Sequence, residues 1–123
     1  MNIIISGKSE KPIYEQIKYQ IKKAIILGQL KKDSPLPGLR SLASDLKVSV
    51  ITTKRAYSEL ENEGLIYTVA GKGSFVSSID KEIFYEEGIE KIEEKFKDII
   101  IISQDLKMSK KDLFDILENL YKI

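Results

Sequence analysis

Side chains able to make or break bonds are scarce in this chain, because its 123 residues include no cysteine and no histidine. Thiol nucleophiles, imidazole bases, disulfides and the usual zinc ligand sets are excluded, so the commonest enzyme mechanisms lose their parts. Three groups of functional side chains remain. The carboxylates Glu86, Glu87, Glu90, Glu93 and Glu94 are crowded enough to suggest acid–base work. Their spacing, however, puts them on the polar face of an amphipathic helix, and a solvated face accounts for them better than catalysis does. Gly71-Lys72-Gly73 resembles a phosphate loop, but a strand follows it where such a loop needs a helix N-terminus, so it reads as a hairpin tip. The third group is a set of hydroxyls and cations between Arg40 and Arg55, whose use depends on the elements that carry them. No cofactor and no metal site is expected.

Those elements follow from punctuation and periodicity. After a β-prone start at Ile3 to Ile5, Ser9-Glu10-Lys11-Pro12 offers a polar cap and a proline where a first helical turn tolerates one. Ile13, Ile17, Ile21 and Ile25, with Tyr14 and Ala24, repeat at helical spacing up to Gly28 and leave Lys18, Lys22 and Lys23 on the wet side. Gln29 to Gly38, with two prolines, reads as a connecting loop. Leu39, Leu42, Ala43 and Leu46 mark a short second helix, and Lys47-Val48-Ser49 a tight break. A third helix is capped by Ser49, buries Thr53, Ala56, Tyr57 and Leu60, and stops at Gly64. Two short helices so joined form a helix-turn-helix. Leu65 to Val69 and Ser74 to Val76 then make a hairpin, or wing.

From Asp80 onward the texture changes. A long amphipathic helix carries Tyr85, Ile89, Ile92, Phe96, Ile99 and Ile100 on one face. A last helix, capped by Ser109 with Asp112 in the capping-box position, carries Leu113, Ile116, Leu117 and Leu120. Such faces ask for a partner chain, so these ten residues are the expected dimerisation surface. The fold class is thus mainly α with a small β-hairpin: a winged helix-turn-helix over 1–78 and a two-helix dimerisation tail over 79–123. Charge divides at the same place. Residues 1–78 hold 12 Lys/Arg against 7 Asp/Glu, and residues 79–123 hold 8 against 12, so a basic front is joined to an acidic rear although the net charge is only +1. That division suits a phosphate-facing module attached to a segment that must avoid nucleic acid. With no apolar run near the roughly 20 residues of a membrane helix and no signal-peptide pattern, a cytoplasmic protein is expected.

From Pro12 to Val76 the residues resemble the GntR family of bacterial regulators. Pro12-Ile13-Tyr14-Glu15-Gln16-Ile17 opens the first helix as in that family, followed in order by Gly28-Gln29-Leu30, Leu36-Pro37, Arg40-Ser41-Leu42-Ala43, Val48-Ser49, Thr52, Ala56-Tyr57, Leu60-Glu61, Glu63-Gly64-Leu65-Ile66 and Gly71-Lys72-Gly73-Ser74-Phe75-Val76. The short tail resembles that of the YtrA-like subfamily in length and helix count. The resemblance implies a sequence-specific transcriptional regulator, a repressor that meets an inverted-repeat operator in double-stranded DNA as a homodimer. It implies that Arg40 lies at the DNA surface, that Ser49 and Thr52 bond phosphate or base edges, that Lys54 and Arg55 sit near the backbone or groove, and that Gly71 and Lys72 approach the minor groove. A guanidinium at Arg40 grips guanine or phosphate in two places, which lysine cannot reproduce; an internal bridge to Asp45 is its alternative use.

Three departures from the family pattern stand out. Val50 and Ile51 follow the turn serine where the family commonly has an arginine, so a guanine contact is missing; contact with a thymine methyl group and inward packing are the two alternative uses of either residue. Gly38 stands where a serine usually caps the second helix, and Asp33 replaces a loop glycine. A competing reading is a winged-helix protein interaction module that has lost DNA binding. The tail is too small for a deep pocket, so an unknown small-molecule effector would have to use a groove at the dimer interface or change the angle between winged domains.

Overall fold

The structure, a computed structural model, describes residues 1–122. Helices α1 (Ile13–Ile26), α2 (Leu39–Leu46) and α3 (Val50–Asn62) precede strands β1 (Ile66–Val69) and β2 (Gly73–Val76), and helices α4 (Lys81–Asp105) and α5 (Lys110–Tyr121) follow. The chain falls into two compact units, Met1–Lys81 and Glu82–Ile123.

In the first unit three helices close over one core. Ile17, Ile21, Ala24 and Ile25 of α1, Leu42 and Ala43 of α2, and Thr53, Ala56, Tyr57 and Leu60 of α3 are buried, with Leu36, Leu65, Ile66 and Val76 completing the interior. Each fully buried Ile or Leu contributes about 1.5–3 kcal/mol. Partly exposed ion pairs at the rim contribute less than about 1 kcal/mol each, so apolar packing decides the fold. Ile13 stays 40% exposed at the start of α1.

The hairpin pairs antiparallel, with Ile66 opposite Val76, Tyr67 opposite Phe75, Thr68 opposite Ser74 and Val69 opposite Gly73. Each strand begins or ends within one residue of the range expected from sequence. The rings of Tyr67 and Phe75 stack with centroids 5.6 Å apart, as a directly opposed cross-strand pair can.

Several sequence expectations need correction. The β-prone start forms no strand; its backbone is held by glutamine amides of α1, with Ile4 N–H donating to Gln20 Oε1 at 2.9 Å and Ser6 N–H to Gln16 Oε1 at 2.8 Å. Ser9 does not cap α1: its Oγ accepts from Lys11 N–H, and Pro12 is the cap residue with no side-chain bond. Lys18 and Lys22 are only partly exposed and reach across to the C-terminal end of α3, Lys18 Nζ lying 3.1 Å from Glu59 and 2.7 Å from Glu63, and Lys22 Nζ 3.0 Å from Glu63. The expected loop before α2 is ordered along β2: Asp33 N–H donates to Val76 O, Val76 N–H to Ser34 O, and Leu36 N–H to Ser74 O. Asp33-Ser34-Pro35-Leu36 has no polar–apolar alternation and contains a proline, so nothing in it registers as a strand, yet it satisfies the outer edge of β2.

The second unit has almost no interior. Among its described residues only Ser103 is buried, its Oγ donating to Ile100 O at 2.7 Å. Lys107, at φ 56°, turns the chain between the helices, and Ser109 then opens α5 with a complete capping box, Asp112 N–H donating to Ser109 Oγ and Ser109 N–H to Asp112 Oδ2. Aspartate reaches back here although Glu or Gln is the usual partner. No helix among the described residues is long and apolar enough to cross a membrane.

Candidate nucleic-acid interface

The N-terminal turn of α3 is built by its own hydroxyls. Ser49 adopts an extended cap conformation, and its Oγ accepts from Thr52 N–H at 3.2 Å. The two hydroxyl oxygens of Ser49 and Thr52 lie 2.8 Å apart. One proton serves that contact, so the pair keeps one hydroxyl donor available to an outside acceptor. Val50, Ile51, Lys54 and Arg55 complete the turn; Ile51 is 81% exposed and Val50 38%. Neither apolar residue packs into the core.

Two buried groups dock α2 against this turn. Thr53 Oγ1 donates within 3.0 Å of both Leu39 O and Val50 O, and Tyr57 Oη donates to Pro37 O at 2.6 Å. Burial pushes the Tyr57 phenol up to about 12, so it remains a donor. These bonds satisfy carbonyls rather than the first-turn N–H groups that a side-chain cap at Gly38 would serve, and they hold the first turn of α2, with Arg40 next to Leu39, beside the start of α3. Thr53 and Tyr57 are thus positioning residues; in the sequence they look like members of an apolar stripe, and only their polar atoms hint at more.

Arg40 is exposed, and among the described residues no carboxylate, Asp45 included, lies within ion-pair distance of it. Lys54 is likewise exposed without an ionic partner. Arg55 is placed differently. Its guanidinium carbon lies 3.8 Å from the centre of the Tyr14 ring, and its Nε is 3.4 Å from Glu59 Oε2, so it is turned back onto α1. Glu59 of α3 and its C-cap Glu63 are thus matched by Lys18, Lys22 and Arg55, and Glu61 accepts from Thr68 Oγ1 of β1 at 3.4 Å, so the carboxylates gather at the C-terminal end of the helix and are partnered there.

Glu63 feels two opposed influences. Partial burial raises its carboxyl, but hydrogen bonds from Lys18 and Lys22 and their charges outweigh this and lower it below the usual 4.5. Lys18 is raised above 10.5, chiefly through its bond to Glu63, against the opposing effect of burial.

At the wing tip Lys72 N–H donates to Val69 O at 2.9 Å, closing a tight turn over Ala70 and Gly71. Gly71 at φ 76° and Gly73 at φ 107° occupy conformations that side chains resist, and the tip leaves Lys72 exposed. Its base is fastened by Tyr67 Oη donating to Asp33 Oδ1 at 2.8 Å, which raises the phenol. Asp33 itself adopts φ 65°, which explains why a glycine suits that position.

In the tail unit, Phe96, Ile99, Ile100, Leu113, Ile116, Leu117 and Leu120 come together along a groove of about 510 Å³, with Met108 and Phe114 beside them. Tyr85, Ile89 and Ile92 are exposed nearer the start of α4, outside this groove. Ile101, Ile102, Leu106 and Tyr121 are exposed as well, although the sequence periodicity did not single them out.

Comparison with known proteins agrees with this geometry. Residues 13–76 match the model of the bacterial regulatory proteins, gntR family. The HTH-type transcriptional repressor YtrA of Bacillus subtilis (strain 168) is 38% identical over 99 residues, which span 80% of this chain and 76% of that protein. A GntR family transcriptional regulator from Listeria monocytogenes superimposes with a TM-score of 0.69 at 29% identity, over 91% of this chain and 97% of that one. The DNA-binding domain of AraR, solved in complex with operator ORX1, superimposes with a TM-score of 0.56 at 30% identity, over 63% of this chain and 96% of that one. This chain therefore belongs to the gntR family of bacterial regulatory proteins and is a winged-helix, DNA-binding transcriptional regulator.

Proposed function

We propose that this regulator is a cytoplasmic repressor, without enzymatic activity, that occupies an inverted-repeat operator as a homodimer. The observation that carries the reading is the segregation of charge along α3. The carboxylates Glu59, Glu61 and Glu63 lie at its C-terminal end, where Glu59 and Glu63 pair with Lys18 and Lys22 of α1 and Glu61 accepts from Thr68, while Arg40 of α2, Lys54 and a free hydroxyl donor of the Ser49–Thr52 pair are left unmatched around the helix N-terminus. An N-terminal helical turn with exposed donors is the part that enters a major groove, where each base pair presents a distinct pattern. Ser49, Val50, Ile51 and Thr52 then face base edges or adjoining phosphates, Arg40 and Lys54 the backbone or a guanine, and Gly71 and Lys72 the neighbouring minor groove. Residues 1–78 form the DNA-binding part and residues 79–123 the dimerising part. A two-fold dimer implies a two-fold operator. A repressor role is supported by the name of the Bacillus subtilis relative. Any small-molecule effector would enter the groove between α4 and α5, where filling or distorting it changes how two chains pair.

The test is equilibrium binding of the full chain to a duplex it selects from a randomised library, measured across a salt series. Log affinity should fall linearly with log salt, with a slope near −0.9 for each phosphate neutralised (about −0.9 per contact). A salt-independent affinity, or no selected duplex at low salt, overturns the proposal in favour of a protein interaction module.

A further inference from the structure

Ile51 is 81% exposed, more than any other large apolar residue among the described residues of the first unit, yet it lies in the turn proposed to enter DNA. Nothing in the fold explains an isoleucine there. At that exposure it adds little packing, and a β-branched residue is a poorer helix former than alanine or a straight-chain residue. It is also flanked by polar neighbours: Thr52 and Lys54 follow on the helix, and Arg40 sits on the adjoining turn of α2.

The major-groove edges of the bases differ in one respect that an aliphatic side chain can sense. Adenine, guanine and cytosine present only hydrogen-bonding groups there, whereas thymine adds a methyl group at C5. Isoleucine against that methyl buries apolar surface on both sides. Cytosine carries only a hydrogen at that carbon, so the same contact loses its methyl partner there and favours thymine over the other pyrimidine. Branching at Cβ restricts the first side-chain torsion, so little freedom is lost when the contact forms. We propose that Ile51 is a specificity-determining residue that reads a thymine through its C5 methyl group in each operator half-site. The proposal rests on the operator-binding reading above and adds the chemistry of one base.

The full chain is titrated against the duplex it selects from a randomised library, and against duplexes in which each thymine of a half-site is replaced in turn by deoxyuridine. That change removes only the methyl group. At one position per half-site the wild type should lose about fourfold in affinity, the value of one buried carbon group. Ile51→Ala should bind more weakly and be indifferent to deoxyuridine at that position, while Ile51→Val keeps most of the sensitivity. Circular dichroism should show both variants folded, as expected for an exposed position. Equal wild-type affinity for every substituted duplex, or an undiminished deoxyuridine effect in Ile51→Ala, overturns the role of Ile51 and leaves operator binding intact. Failure of the wild type to select any duplex overturns both.

Discussion

Arg40, Lys54 and Arg55 are three cations within one stretch of sequence, and the structure gives them different fates. Arg40 and Lys54 have no ionic partner among the described residues, whereas Arg55 stacks on Tyr14 and approaches Glu59. Arg40→Ala should weaken operator binding by about tenfold or more, the loss of a bidentate contact, without changing the sedimentation of the chain. Arg40→Lys should recover only part of that loss, because an ammonium grips one point. Lys54→Ala should reduce the slope of log affinity against log salt by about one phosphate contact. Arg55→Ala should leave the slope unchanged and instead lower unfolding stability by about 0.5–1 kcal/mol, the value of an exposed cation–π contact, as read in urea. A salt slope that falls in Arg55→Ala would mean that its guanidinium leaves Tyr14 on meeting DNA.

At the scale of elements, ion pairs fasten α1 to the C-terminal end of α3, the helix whose N-terminal turn is proposed to enter DNA. These pairs give stability a pH dependence of known sign. Glu63 is lowered in the fold, so its contribution is complete above 4.5 and is lost as pH falls below that value through the folded one. Lys18 is raised, so its contribution is complete below 10.5 and is lost as pH rises through the folded value. Both side chains touch water, which screens the pairs and limits each to less than about 1 kcal/mol. Glu63→Gln should therefore lower stability modestly at neutral pH, and the difference from wild type should shrink in acid below 4.5 as urea midpoints are compared. A constant difference across that range would assign the loss to packing.

Considered as a whole molecule, the chain couples a unit that closes its own core to one that does not. Phe96 and Leu117 are 43% and 38% exposed along the α4–α5 groove, an arrangement whose apolar surface gains from a second chain. Leu117→Asp should raise the dimer dissociation constant by about thirtyfold, the effect of losing an interface hot spot, as seen by sedimentation equilibrium. The same variant should still bind an isolated half-site while losing the gain from a symmetric operator. Unaltered self-association would show that the proposed dimer uses another surface, with Tyr85, Ile89 and Ile92 the next to test.

Much of this was legible in the sequence because it is local. Apolar spacing placed Ile17, Ile21 and Ile25 in α1, and Ser49 and Ser109 announced helix starts, since capping and periodicity act within a turn or two of chain. The charge asymmetry and the helix-turn-helix were readable on the same basis. Other features required the fold. Lys18 and Lys22 meet Glu59 and Glu63 some forty residues away, Tyr57 bonds Pro37, the 33–36 loop completes the edge of β2, and Arg55 folds onto Tyr14. No periodicity encodes those pairings, because they arise only when distant segments converge and each buried or half-buried polar group must find a partner. Residue types and spacing thus determined which elements form and which faces are apolar; convergence in three dimensions decided which cations are occupied within the domain and which remain unmatched.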